Sequence, residues 1–76
     1  METALVLISL YASMEYNALS ELKKVGGVKE AHFLYGPYDA YALVEADSSH
    51  QLQEVVIGKI RNIDGIRSTV TCFVAE

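Results

Sequence analysis

The residues with the most chemistry to offer stand together in Gly36-Pro37-Tyr38-Asp39, between two apolar, aromatic runs, Phe33-Leu34-Tyr35 and Ala40 to Val44. Glycine lets a ligand approach the backbone, proline stiffens the loop, and the amides of Tyr38 to Ala40 can form a small nest for a carboxylate. Asp39 supplies the opposite charge, suited to an ammonium group. An α-amino acid carries both groups. The same four residues are also good β-turn formers, and a plain turn accounts for them without any ligand. Thr69 and Thr71 share one face of the last strand with Arg67 and Phe73. Alternating threonines are ordinary strand formers, and their hydroxyls at a sheet edge also suit a small polar ligand.

The remaining reactive residue types are poorly placed for chemistry. Cys72 lies in a strand with no His or Asn beside it in sequence, and is expected to be a buried structural cysteine. His32 and His50 have no Cys or His partner at a metal-ligand spacing. Glu54 follows His50 by one helical turn, but two ligands fall short of the four a structural zinc site needs. Glu15, Glu21 and Glu45 form no general acid and base pair, and no phosphate-cradling or dinucleotide glycine motif is present. The reading is a non-enzyme with no catalytic residue, no metal and no cofactor.

Composition narrows the class further. A chain of 76 residues reads as one domain, 1–76, and such a domain buries only roughly 60% of its unfolded surface. One cysteine excludes an internal disulfide and points to a reducing, cytoplasmic setting. With 51% hydrophobic residues in so short a chain, oligomerisation is the remaining way to support a marginal core. A net charge of -4 argues against direct nucleic-acid binding, where a basic face is the footprint. The longest apolar runs are far below the roughly 20 residues that span a bilayer, and Met1-Glu2 lacks the positive charge of a secretory leader. No membrane association is expected.

The elements that must carry the Gly36 to Asp39 turn follow from periodicity. Thr3 to Tyr11 is nearly all apolar and reads as a central strand. From Met14 to Lys24 the spacing of Ala18, Leu19, Leu22 and Val25 becomes helical, with Ser13 as N-cap and Gly26-Gly27 as the stop. Val28 to Tyr35 reads as an edge strand, and Ala40 to Ala46 as a second apolar one after a tight turn. Ser48 and Gln51 make a capping-box pattern ahead of a helix reaching about Arg61, within which Gly58 is expected to allow close packing on the neighbouring helix. Ile66 to Val74 is the last strand.

Shifting the chain by 38 positions lays Ala4-Leu5-Val6 on Ala42-Leu43-Val44 and Val25-x-Gly27-Val28 on Ile63-x-Gly65-Ile66. Two equivalent βαβ units in the order βαββαβ predict an α+β, ferredoxin-like fold: a four-stranded antiparallel sheet with both helices on one face and strands one and three central. The uncovered face then carries Leu5, Leu7, Ser9 and Tyr11 with Tyr41, Leu43 and Glu45. A second copy packed sheet on sheet is the simplest cover for such a patch.

The run Gly36-Pro37-Tyr38-Asp39 through Val44, the helix after it, and Ile63-Asp64-Gly65-Ile66-Arg67-Ser68-Thr69-Val70-Thr71 together resemble the RAM domain (regulation of amino acid metabolism). This is the effector-binding half of Lrp/AsnC transcription regulators. The resemblance covers essentially the whole chain, and the helix-turn-helix half of those regulators is absent from it. It implies a stand-alone archaeal or bacterial module, dimerising through its open sheet, with dimers assembling into rings such as a tetramer of dimers. It further implies amino acids bound between dimers, with Gly36, Tyr38 and Asp39 in the ligand loop, Pro37 and Tyr41 tuning preference, and Thr69 and Thr71 beside it. A full-length Lrp/AsnC regulator is the implied partner in controlling transcription. Two alternatives share the element order. An ACT-type regulatory domain usually places its ligand loop after the first strand, where Ala12-Ser13-Met14-Glu15 has no glycine. A cofactor-free monooxygenase of the dimeric α+β barrel type generally needs an inward His, Asn or Trp, and the chain has no Trp.

Overall fold

The computed structural model describes residues 1–75, in the order β1 (Glu2–Leu10), α1 (Glu15–Lys24), β2 (Val28–Phe33), β3 (Ala40–Ala46), α2 (Ser49–Gln53) and β4 (Ile66–Phe73). Helix α2 runs on as a wider π-helical stretch, Glu54–Ile60. The strands form one antiparallel sheet in the order β2-β3-β1-β4, so the two most apolar strands are central, as their composition requires.

The alternation of β1 and β3 builds the core. Ala4, Val6 and Ile8 pair with Val44, Ala42 and Ala40, and all six are fully buried beneath the helices. Ala18 and Leu22 of α1, then Leu52, Val56 and Ile60 from α2 and its extension, close the same core. The alanines on the sheet let the helices approach, and each fully buried Leu, Ile or Val contributes about 1.5–3 kcal/mol. The inner duplication is also visible in the backbone. Gly27 and Gly65 each follow a helix at φ near +100°, and each accepts a hydrogen bond at its carbonyl, from Glu45 at 2.8 Å and Tyr11 at 2.9 Å.

Local expectations fared unevenly. Ser48 caps α2, its Oγ accepting from the Gln51 amide at 3.2 Å. Ser13 does not cap α1. It sits at φ 69° in the bend after β1, and Met14 takes the N-cap position without a side-chain bond. The tight turn after β2 is instead a six-residue loop, 34–39: the strand ends at Phe33, and Leu34 donates to the Asp39 carbonyl across the base of the loop at 2.9 Å. Gly58 faces open space rather than a helix. There the Arg61 amide reaches five residues back to Val56 at 3.1 Å, and Asn62 Nδ2 donates to the Gly58 carbonyl at 2.7 Å. Cys72 is exposed, not buried, since its strand parity places it opposite Leu5 on the uncovered face.

That face is crossed by two rows of neighbours, Glu30-Leu43-Leu5-Cys72 and His32-Tyr41-Leu7-Val70. Leu5, Leu7, Tyr41, Leu43 and Glu45 are partly exposed, and Tyr11 and Val70 more so. Ser9 is already covered within the chain, 8% exposed.

Candidate functional site

The loop between β2 and β3 is held at its base and free at its apex. Asp39 closes the base: its amide donates to the Ile8 carbonyl at 2.9 Å, its carbonyl accepts from Leu34, and its Oδ2 accepts from the Leu10 amide at 2.7 Å. Among the described residues, Tyr35 to Tyr38 make no hydrogen bond, so the apex presents unsatisfied amides to solvent. Gly36 sits at φ +140° with nothing within 4 Å of where a Cβ would stand. Only glycine adopts such a conformation without strain.

Beside the loop lies a cleft of about 280 Å³, lined by Glu15, Tyr16, Phe33, Leu34, Tyr35 and Asp39. That is near the lower end of small-molecule sites, roughly 300–1,000 Å³. Its far wall is the first turn of α1, which touches β2 through an edge-to-face contact of Tyr16 on Phe33 with ring centroids 5.4 Å apart. Tyr35 is fully exposed at the rim. Sequence reasoning named the loop but not Glu15, Tyr16, Phe33, Leu34 or Tyr35. The available signal was the concentration of aromatics either side of Gly36, which no residue spacing tied to α1.

The other candidates lie elsewhere. Tyr41 is on the uncovered sheet face, where its hydroxyl donates to Glu30 Oε1 and its ring lies 5.7 Å from that of His32. The bond to the Glu30 carboxylate holds the Tyr41 hydroxyl above its ordinary pKa, with partial desolvation and the charge of Glu30 adding to it. Thr69 and Thr71 pair with Ile8 and Val6 on the helix side of edge strand β4. Thr71 lines a cleft of about 360 Å³ with Val56, Ile57, Arg61 and Phe73, and Thr69 lines another of about 220 Å³ with Arg61, Arg67 and Ser68. Strand β1 stands between these threonines and the loop, so one chain does not bring them together. A larger indentation of about 410 Å³, lined by Asn17, Glu21, Asn62, Ile63 and Asp64, does not include the loop. Among the described residues no three His, Cys, Asp or Glu side chains converge as a metal site would require.

A doubled βαβ sheet with one uncovered face and a cleft at the β2–β3 loop defines a small α+β binding domain of ferredoxin-like type. Comparison with known proteins makes the class specific. The chain belongs to the family of the Lrp/AsnC ligand binding domain, whose model matches residues 3–76. Regulatory protein AsnC of Escherichia coli is 37% identical over 70 residues, which cover 91% of this chain and 46% of AsnC. The chain thus spans about half the length of the curated relative it matches. The crystal structure of FFRP-DM1 is 33% identical with a TM-score of 0.93, covering 99% of this chain and 100% of that one. A transcriptional regulator of Neisseria meningitidis in complex with L-Met superposes with a TM-score of 0.88 over 99% of this chain and 50% of its own. At 14% identity that likeness speaks for the fold alone. Among the described residues no helix is long and apolar enough to cross a membrane.

Proposed function

We propose that this chain is a non-enzymatic, cytoplasmic amino-acid-sensing module, a single domain over 1–76 that binds its ligand at the β2–β3 loop and works through assembly. The observation that carries this reading is the loop itself: an apex of free amides around Gly36, fixed at its base and walled by Glu15 and aromatic rings. Gly36, Pro37, Tyr38 and Asp39 frame the ligand's polar end, and Tyr35 and Tyr16 meet its side chain. The Neisseria regulator of the same fold is in complex with L-Met, the ligand class that the loop suits.

Dimerisation through the uncovered sheet covers Leu5, Leu7, Tyr11, Leu43 and Glu45, with Ser9 beneath them. Thr69 and Thr71 then serve the site only from a neighbouring copy, because β1 separates them from the loop within one chain. A ligand seated between copies links binding to assembly, and a tetramer of dimers is the ring expected. The partner in regulation is a full-length Lrp/AsnC protein, which supplies the DNA contact that a net charge of -4 disfavours here. Tyr41 acts at the sheet interface rather than in the ligand site.

A thermal-shift screen of the standard amino acids tests the ligand class. A ligand present at 100 times its Kd stabilises by about 2.7 kcal/mol. At least one amino acid is expected to raise the melting temperature by several degrees. No shift with any of them at millimolar concentration contradicts the reading.

A further inference from the structure

We infer that the two carboxylates of the loop cleft divide the work: Asp39 positions the loop, and Glu15 of α1 meets the ligand's ammonium group. This deepens the proposed function and rests on it for the ligand class. On residue type alone Asp39 is the natural ammonium partner, but the geometry commits its Oδ2 to the backbone of β1.

Strand β1 explains why. Its ladder with β3 ends at the Ile8–Ala40 pair, and its register with β4 shifts between Ser9 and Leu10, after which Leu10 pairs with Ile66. The β3 side of Leu10 therefore has no carbonyl rung opposite its amide. Leu10 is 8% exposed, and an amide there without an acceptor would be costly. Asp39 Oδ2 fills the missing rung at 2.7 Å, the short end of N–H to oxygen distances and typical of a charged acceptor. With its amide on Ile8, its carbonyl on Leu34 and Oδ2 on Leu10, Asp39 is left with Oδ1 alone unpartnered among the described residues. Tyr35 to Tyr38 make no bond of their own among the described residues, so the loop apex is positioned entirely through its base. The same stretch of β1 continues to β4, Tyr11 donating to the Gly65 carbonyl at 2.9 Å. The latch thus joins the ligand loop to the start of the strand that bears Thr69.

Glu15 has the opposite circumstances. It lines the same cleft, is only partly exposed, and makes no hydrogen bond or ion pair among the described residues. The Tyr16–Phe33 contact joins the turn of α1 that carries it to β2. A cation entering between the loop apex and α1 meets this carboxylate uncommitted.

The test compares Asp39→Asn, Asp39→Ala and Glu15→Gln with the unmodified protein. Binding is read by calorimetry with whichever standard amino acid gives the largest thermal shift, and the latch by hydrogen exchange at the Leu10 amide. Asparagine keeps an oxygen for Leu10 but no charge. Asp39→Asn is expected to bind within about threefold of the parent with Leu10 still protected. Asp39→Ala is expected to expose Leu10 and bind at least about tenfold more weakly, and Glu15→Gln to bind about tenfold more weakly with Leu10 protected, the scale of one charged contact. If Asp39→Asn binds as weakly as Asp39→Ala while Leu10 stays protected, the charge of Asp39 contacts the ligand and the inference is overturned. Parental binding by Glu15→Gln overturns it equally. Should Asp39→Ala fail to fold, the other two variants decide. Should the parent bind no amino acid, the functional reading fails and the Glu15 assignment with it. Leu10 exchange then decides the latch alone: fast in Asp39→Ala and slow in Asp39→Asn keeps it, and unchanged in both removes it.

Discussion

Alanine at three glycines should give three different results, because the backbone and the space at each differ. Gly65 is buried at φ +101°, and a Cβ there would stand 3.0 Å from the Met14 Cβ, 3.1 Å from the Met14 carbonyl oxygen and 3.2 Å from the Ala18 Cβ. The strained conformation costs about 1–3 kcal/mol. Crowding the α1 backbone adds about 1–3 kcal/mol more. Gly36, at φ +140° with no neighbour within 4 Å, incurs the conformational part alone. Gly58 has neither cost, and alanine in that helical stretch gains about 0.5–1 kcal/mol. Stability per residue of about 0.05–0.15 kcal/mol puts the whole domain at roughly 4–11 kcal/mol, so Gly65→Ala removes a large share. For a domain this size each kcal/mol moves Tm by about 4–8 °C. Thermal melts at one fixed protein concentration, needed because assembly shifts Tm, should rank Gly58→Ala above the parent, then Gly36→Ala, then Gly65→Ala. Equal melting of Gly36→Ala and Gly65→Ala would refute the packing argument, since only the second meets another helix.

Three further outcomes follow from single contacts. Ser48→Ala removes the cap on the Gln51 amide and should cost about 0.5–2 kcal/mol in denaturant melts, whereas Ser13→Ala, which removes no cap, should cost far less. Tyr41 has its pKa raised in the folded state, so its bond to Glu30 supports the fold fully below the ordinary tyrosine value of about 10 and is lost as pH climbs through the folded value. Ultraviolet titration of Glu30→Gln should show Tyr41 ionising at lower pH than in the parent, and an unchanged curve would remove Glu30 as the cause. Leu7→Lys places a charge in the middle of the uncovered sheet, between Tyr41 and Val70, and should reduce the mass in solution to that of one chain. Persistence of the parental mass would move the interface off this face.

Much of the fold was legible because its signals are local and redundant. The apolar runs of β1 and β3, the helical stripe from Ala18 to Val25 and the Ser48 cap each repeat what the neighbouring element implies, and the 38-residue shift makes the chain state its topology twice. The errors fall where a long-range contact overrides a local preference. Ser13 is a good capping residue, but the short connection from β1 bends it to positive φ. Gly58 suggested a close helix crossing, yet it lies with Ile57 and Lys59 on the exposed side of its helical stretch. The site was half legible. Turn formers mark the loop in any sequence, but the rung Asp39 supplies to Leu10 spans 29 positions and depends on a register shift in β1. The wall from α1 depends on Tyr16 meeting Phe33 across the layer. Cys72 looked buried because strand cysteines often are, whereas edge position and parity put it outside.

On the proposed function, ligand binding at the β2–β3 loop is coupled to assembly of the chain. Light-scattering mass during size-exclusion chromatography, run without ligand and then with a pool of the standard amino acids, measures that coupling. The expected result is a mass of several chains that changes when the pool is present and reverts when it is removed. A mass that no amino acid alters, whether of one chain or of many, would contradict it.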